Sequence, residues 1–179
     1  MKKVQRLLVI LFIGCSSLAL HAQVGGWNPE LVKESTEALQ AMIRETPKLK
    51  SFYNKCYGYA IFPTVTKAGV GVGGAMGKGV VYAQGKITGK TTLKQASIGL
   101  QLGGQQYSEV VFFENKTAYE HFKNGNLKFD AQASAVAITE GASIDSAYTD
   151  GVAVFTQIKG GLMYEASIGG QHFTFKPIK

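Results

Sequence analysis

Among 179 residues there are only two cysteines, four prolines and three histidines. Cys15 lies in a segment with the layout of a secretory leader, so loss of that leader leaves Cys56 alone and excludes an internal disulfide. Cys56 is then expected as a small buried apolar residue. With no His/Cys cluster, no metal site is expected, and no cofactor. Past the leader, no apolar run approaches the ~20 residues of a membrane-spanning helix. The largest gap is in acidic residues. Between Glu45 and Glu109 there is neither Asp nor Glu, while Lys48, Lys50, Lys55, Lys67, Lys78, Lys86, Lys90 and Lys94 all fall inside that window.

The leader itself is well marked. Lys2, Lys3 and Arg6 precede an apolar stretch from Leu7 to Ile13, and "LHAQ" offers Ala22 as the last residue before cleavage. A periplasmic or secreted chain beginning at Gln23 is the expectation, with 23–179 as a single domain. "FIGC" also resembles a lipobox, with Phe12 where leucine is usual, and this alternative anchors a lipoprotein at Cys15. Without Lys2, Lys3 and Arg6, sixteen of the nineteen basic residues remain against twelve acids, a net +4, with the window contributing +8. Such a window is either scattered solvated lysine, which discourages strand-edge aggregation, or a basic face for an anionic surface.

Helical signals come first. Asn28 and Pro29 open an amphipathic helix over 29–45 that places Val32, Ser35, Leu39, Met42 and Ile43 on one face, and Pro47 ends it. A shorter helix follows in "TPKLKSFYNKCYG", with Leu49 and Phe52 inward. From Tyr57 the period changes to two. "YGYAIF" ends at Pro63, and "GVVYAQG" and "KITGK" form a hairpin pair joined near Gln84–Gly85. In "QASIGLQLGGQ", Ala96, Ile98, Leu100 and Leu102 face one way, and Ser97, Gly99, Gln101 and Gly103 the other. "NKTAYEHFKNG" is one more helix, capped by Asn115 and closed by Gly125. Strand patterns resume at "LKFDAQASAVAI", "GVAVFTQI", "GGLMYEASIGG" and "QHFTFK". Short strands at this spacing predict an α+β fold with N-terminal helices packed on a curved, barrel-like antiparallel sheet. Ala-Ser-Ile-Gly occurs at 96–99 and again at 166–169, marking strands where glycine lets a neighbour come close.

The run "AGVGVGGAMGKGVV" satisfies G-x-G-x-x-G through Gly69, Gly71 and Gly74. A dinucleotide loop would open a helix there and meet an acid about 20 residues on. Strand pattern follows instead, and no acid appears before Glu109. The phosphate-loop pattern fails too, with Val72 in place of its first glycine and Gly79 in place of Ser/Thr. Gly69, Gly71, Gly73 and Gly74 are therefore expected as structural glycines of curved, closely packed strands.

No catalytic residue is expected. Ser97 and Ser167 sit in x-A-S-I-G, one glycine short of a nucleophile elbow and inside strands. His121 and His172 are far apart in sequence. Glu140, Asp145 and Asp150 lie in a turn-rich stretch too sparse for calcium.

"YGYAIFPTVTKAGVGVGGAMGKGVV" resembles the signature of the SYLF domain, in which a strand ending in F-P is followed by a lysine, then A-G-x-G-x-G-G and G-x-G-V. "ASIGLQLGGQQYSEVVFFENKTAYEHF" resembles its next block, and "GGLMYEASIGG" its closing one, although Tyr164 and Glu165 stand where many relatives carry smaller residues. The resemblance spans roughly residues 30 to 176 and is to the secreted bacterial form, related to actin-regulating members. It implies a non-enzymatic lipid-binding module. The expected partner is an anionic phospholipid or membrane surface, not nucleic acid, with any protein partner open. Lys67, Lys78, Lys86, Lys90 and Lys94 are the expected lipid contacts, with helix 29–45 as a second candidate. The rivals are an envelope structural or protein-binding module and a hydrolase using Ser167.

Overall fold

The computed structural model describes residues 28–125, 128–130 and 148–178. Cys15, Ala22, Glu140 and Asp145 lie outside the described residues, and for Tyr164, Glu165 and Ser167 only the strand position is described.

Two helices precede the sheet: α1 (Pro29–Glu45) and α2 (Leu49–Lys55). Asn28 caps α1 by accepting the Glu30 N–H at 3.1 Å, and Pro29 occupies a first-turn position that has no helical N–H to lose. Helix α3 (Lys116–Lys123) starts in the same way, with Asn115 Oδ1 accepting the Ala118 N–H at 3.0 Å. It closes at Gly125, which has φ +70° and donates its N–H to the Phe122 carbonyl.

The sheet departs from the expected series of short strands. β1 (Gly58–Ala83), β2 (Lys86–Phe113) and β4 (Val152–Pro177) run 26, 28 and 26 residues, and β3 (Lys128–Asp130) adds a short edge. Among the described residues the order is β1-β2-β4-β3, antiparallel throughout, with turn residues Gln84 (φ 49°) and Gly85 (φ 73°) joining β1 to β2. Glycine bends these strands without ending the ladder. Pro63 does not end one either. It falls in an irregularity between Phe62 and Val65, where the Ser108 hydroxyl donates to its carbonyl at 2.8 Å. The two Ala-Ser-Ile-Gly segments prove to be neighbours, with Ile98 registered against Ile168 and Ser97 against Gly169.

Strands this long cannot stay flat around one core. β1 curls so that its last third passes alongside its first: a Cβ built at Gly79 would stand 2.5 Å from the Ile61 carbonyl oxygen, and one at Gly77 would stand 2.8 Å from a Val65 methyl. The sheet curls in this way without closing. Inside the curl, Phe62, Val81, Leu93, Val111, Phe113 and Phe173 pack with Tyr119 and Phe122 of α3. On the outer side, α1 and α2 bury Leu39, Met42 and Phe52 against Ile61, Val110 and Phe112. The apolar stripe of α1 is thus spent within the fold. That leaves this helix, the second candidate contact, without an apolar face for a membrane.

Close approach accounts for Gly77 and Gly79, and not for the expected Gly71. A Cβ at Gly71 would meet nothing within 4 Å, and glycine is required there by its φ of +70°. Gly74 is intermediate, its Cβ position lying 3.3 Å from the Gln95 carbonyl oxygen. Gly69 and Gly73 lie in the same β1 segment, opposite Gly103 and Ser97.

Candidate membrane-contact face

Beyond the reach of α1 and α2 the described residues on the outer face of the sheet are largely exposed, and their composition is unusual. Along β2, Leu93, Gln95 and Ser97 are buried, while Lys94, Ala96 and Ile98 are exposed. An alternating strand on a water-soluble domain ordinarily turns its apolar row to the core. Here the order is reversed: Ser97 is 1% exposed and Ile98 73%.

Register extends this inversion across the strands. Val70 pairs with Leu102, Val72 with Ile98 and Met76 with Lys94. All are one or more full alternations apart on the same outward row, and Val70, Val72, Met76, Ile98 and Leu102 are each more than half exposed. The row continues into basic residues. Lys94 stands opposite His172, and Lys90 opposite Lys176. Lys78 lies opposite Thr92, on the same side. Lys78, Lys94, His172 and Lys176 are exposed, and Lys90 is half-buried. Residues 72–80, 90–98 and 168–176, which make up this part of the sheet, contain no acid. Short β3 adds Lys128 opposite His172 and Asp130 opposite Gly170 at the edge. Among the described residues no carboxylate forms an ion pair with Lys78, Lys90 or Lys94. Like charges directly opposite each other in a ladder destabilise it. The Lys90–Lys176 pair is therefore a stability cost that an anionic ligand would relieve.

Of the five expected lysines, the fold gathers Lys78, Lys90 and Lys94 on one face. Lys86 sits exposed at the adjacent turn, opposite Ala83. Lys67 is the exception. It lies on the inward row with Val65 and is only 8% exposed, so its ammonium is turned away from the basic face. Lys176 and the apolar row were not anticipated as contacts. The alternation at Ile98–Leu102 was visible, but nothing in it said that this side was outermost.

The inner side is polar where the outer is apolar. Thr91, Gln95, Ser97, Glu109 and Gln171 are buried there. Glu109 is fully buried, and burial pushes its carboxyl up to about 7, while a 2.9 Å hydrogen bond donated by Gln171 Nε2 opposes the rise. Gln171 pairs in the ladder with Gln95, far along β2 from Glu109. Their hydrogen bond thus crosses the interior and ties the two halves of the curled sheet together. Glu109 Oε1, Gln171 Oε1 and Thr91 Oγ1 are buried without a hydrogen-bond partner.

A cleft of about 310 Å³ beside the β1–β2 turn is lined by Tyr53, Tyr57, Tyr59, Tyr82 and Cys56. Burial raises the Cys56 thiol to about 11 and moves Tyr59 upward as well. Both groups stay protonated near neutrality, which is the opposite of an activated nucleophile. Ser97 is buried within its strand, and His121 and His172 occupy different elements, α3 and β4. Among the described residues no group of His, Cys, Asp and Glu is arranged to hold a metal.

Comparison with known proteins bears on the family. Residues 94–176 match the family model described as "Ysc84: Las17-binding protein actin regulator". Beta cell expansion factor A of Aeromonas veronii is 30% identical over 157 residues, which cover 82% of this chain and 59% of that protein. The chain therefore spans about three fifths of that relative's length. The matched region takes in most of β2, α3 and nearly all of β4; β1, with Val70, Val72, Met76 and Lys78, lies outside it. Over residues 94–176 the chain is thus similar to the SYLF family, a family of binding modules associated with lipid.

Proposed function

We propose that this protein binds anionic phospholipid surfaces through the outer face of its curled sheet, with Lys78, Lys90 and Lys94 at the headgroups. One observation carries the reading: three of the expected lysines, joined by Lys176 and His172, share a face whose β1, β2 and β4 segments contain no acid, with Lys90 opposite Lys176. Lys86 adds charge at the neighbouring turn. The family's association with lipid supports a general membrane- or lipid-binding role, and the lysine contact refines it. The leader-like residues 1–22 support a periplasmic or secreted setting for this activity, with a lipoprotein anchored at Cys15 as the alternative.

A lysine close to an anionic bilayer contributes on the order of 1 kcal/mol. Three together amount to roughly a hundredfold in affinity, at tenfold per ~1.4 kcal/mol. Co-sedimentation with phosphatidylglycerol-containing and pure phosphatidylcholine vesicles tests this. The triple variant Lys78→Glu/Lys90→Glu/Lys94→Glu, which reverses those charges as well as removing them, should lose at least about a hundredfold with the anionic vesicles, and native binding should weaken as salt approaches ~0.15 M. Lys67→Met should retain native affinity. Equal binding to both vesicle types, unaffected by salt, would leave the basic face as a solubility feature.

A further inference from the structure

We infer that the apolar part of the same face, Val70, Val72, Ile98 and Leu102 with Met76, enters the acyl-chain layer of an anionic bilayer while the adjoining lysines remain at the headgroups. This rests on the membrane-binding reading above and adds insertion to surface attraction.

The inversion of the strand pattern is the first support. Val70 is 77% exposed, Ile98 73%, Val72 66% and Leu102 64%, and register makes them direct neighbours on two adjacent strands. Scattered exposed apolar residues need no explanation, but a contiguous set marks an interaction surface. Behind it, Gln95 and Ser97 occupy the buried row. Apolar residues outward and polar ones inward is the order a sheet adopts when it faces hydrocarbon.

Charge identifies the occupant. The apolar row meets the basic group at Met76 and Lys94, so an inserted row brings Lys94, His172 and Lys78 to headgroup level, where anions are. A second copy of the chain packed face to face would instead bring lysines toward lysines, with no acid in residues 72–80, 90–98 or 168–176 to receive them. The backbone also suits entry. β2 is paired with β4 throughout this region and with β1 at Leu102–Val70 and Ile98–Val72, so apart from the irregularity between those two pairs its N–H and C=O groups have ladder partners.

Depth-dependent fluorescence tests the inference. Trp27→Phe/Ile98→Trp and Trp27→Phe/Leu102→Trp are mixed with phosphatidylglycerol/phosphatidylcholine vesicles, with and without bromine on the acyl chains. Both variants are expected to shift their emission to the blue and to be quenched by the brominated lipid. Trp27→Phe/Asn54→Trp, on exposed α2, is expected to do neither. Native protein that sediments with vesicles while both reporters stay unquenched overturns insertion and leaves surface binding standing. No sedimentation with any vesicle overturns both readings.

The double variant Val72→Asp/Ile98→Asp reports independently. Both positions are exposed, but Val72 and Ile98 stand opposite each other in the ladder, so the paired aspartates cost some stability and the comparison is made with variant protein that retains the native circular dichroism spectrum. Each substitution is expected to lower vesicle affinity about tenfold or more. The native protein should keep a salt-resistant fraction of binding that the double variant lacks. Native affinity in the double variant overturns the inference, as does a native dimer in sedimentation velocity that this variant dissociates with vesicle binding unchanged.

Discussion

Replacing Glu109 with glutamine removes the one carboxylate among the described residues that is fully buried in the sheet, and its effect should depend steeply on pH. The group is fully buried, and its pKa rises from an ordinary 4.5 to about 7. A raised carboxyl holds its proton more tightly in the folded protein than in the unfolded chain. Its stabilising contribution is therefore complete below about pH 4.5 and is lost as pH climbs through about 7. At ~1.4 kcal/mol per pH unit, the whole window is worth about 3 kcal/mol. Glu109→Gln preserves the shape and the bond from Gln171 Nε2 but cannot ionise. Urea unfolding at intervals from pH 4 to 9 would measure the difference between variant and native protein. Near pH 4 that difference should be small. By pH 8.5 the variant should be the more stable by about 3 kcal/mol, with most of the change falling between pH 5 and 7.5. Parallel stability curves for the two proteins would mean that Glu109 is hydrated or otherwise compensated, and would refute the account of it as a neutral tie across the curled sheet.

Four further outcomes follow from other parts of the molecule. Gly79→Ala should destabilise by about 1–3 kcal/mol in urea melts, because its methyl meets the Ile61 carbonyl and Phe62 ring. Gly71→Ala should cost about 1 kcal/mol through its left-handed φ alone, with no clash. With its thiol raised to about 11, Cys56 should be alkylated at pH 8 roughly a hundredfold more slowly than an unperturbed cysteine, and a rate near that of a free peptide thiol would contradict its burial. Intact mass of exported protein should correspond to a chain beginning at Gln23, whereas a diacylglyceryl group on Cys15 would establish the lipoprotein alternative.

Local chemistry alone determined a good deal of this structure. Asn28 with Pro29, and Asn115 with Gly125, mark the ends of α1 and α3, because caps act on backbone groups a few residues away. Gln84–Gly85 is a turn because both residues adopt positive φ between strands that pair from their first residues. The missing acids between Glu45 and Glu109, and the block order of the SYLF signature, were likewise plain in the chain.

Tertiary structure decided which side of each strand is outermost. Alternation states that Ala96, Ile98 and Leu102 share a face, but the inside is defined by what packs there, and that involves contacts between distant segments. Pro63 shows how sensitive the outcome is. Counting in twos from buried Phe62 would turn Lys78 inward and Lys67 outward, and the irregularity between Phe62 and Val65 reverses both. The same holds for strand number, since a glycine can end a strand or merely bend it. Only the return of β1 upon itself, with Gly79 against Ile61, makes bending the favourable choice. The basic face and its apolar extension therefore exist as a surface only once three long strands are in register. Their residues are up to about a hundred positions apart in the chain, and nothing local to any one of them records which neighbours it will have.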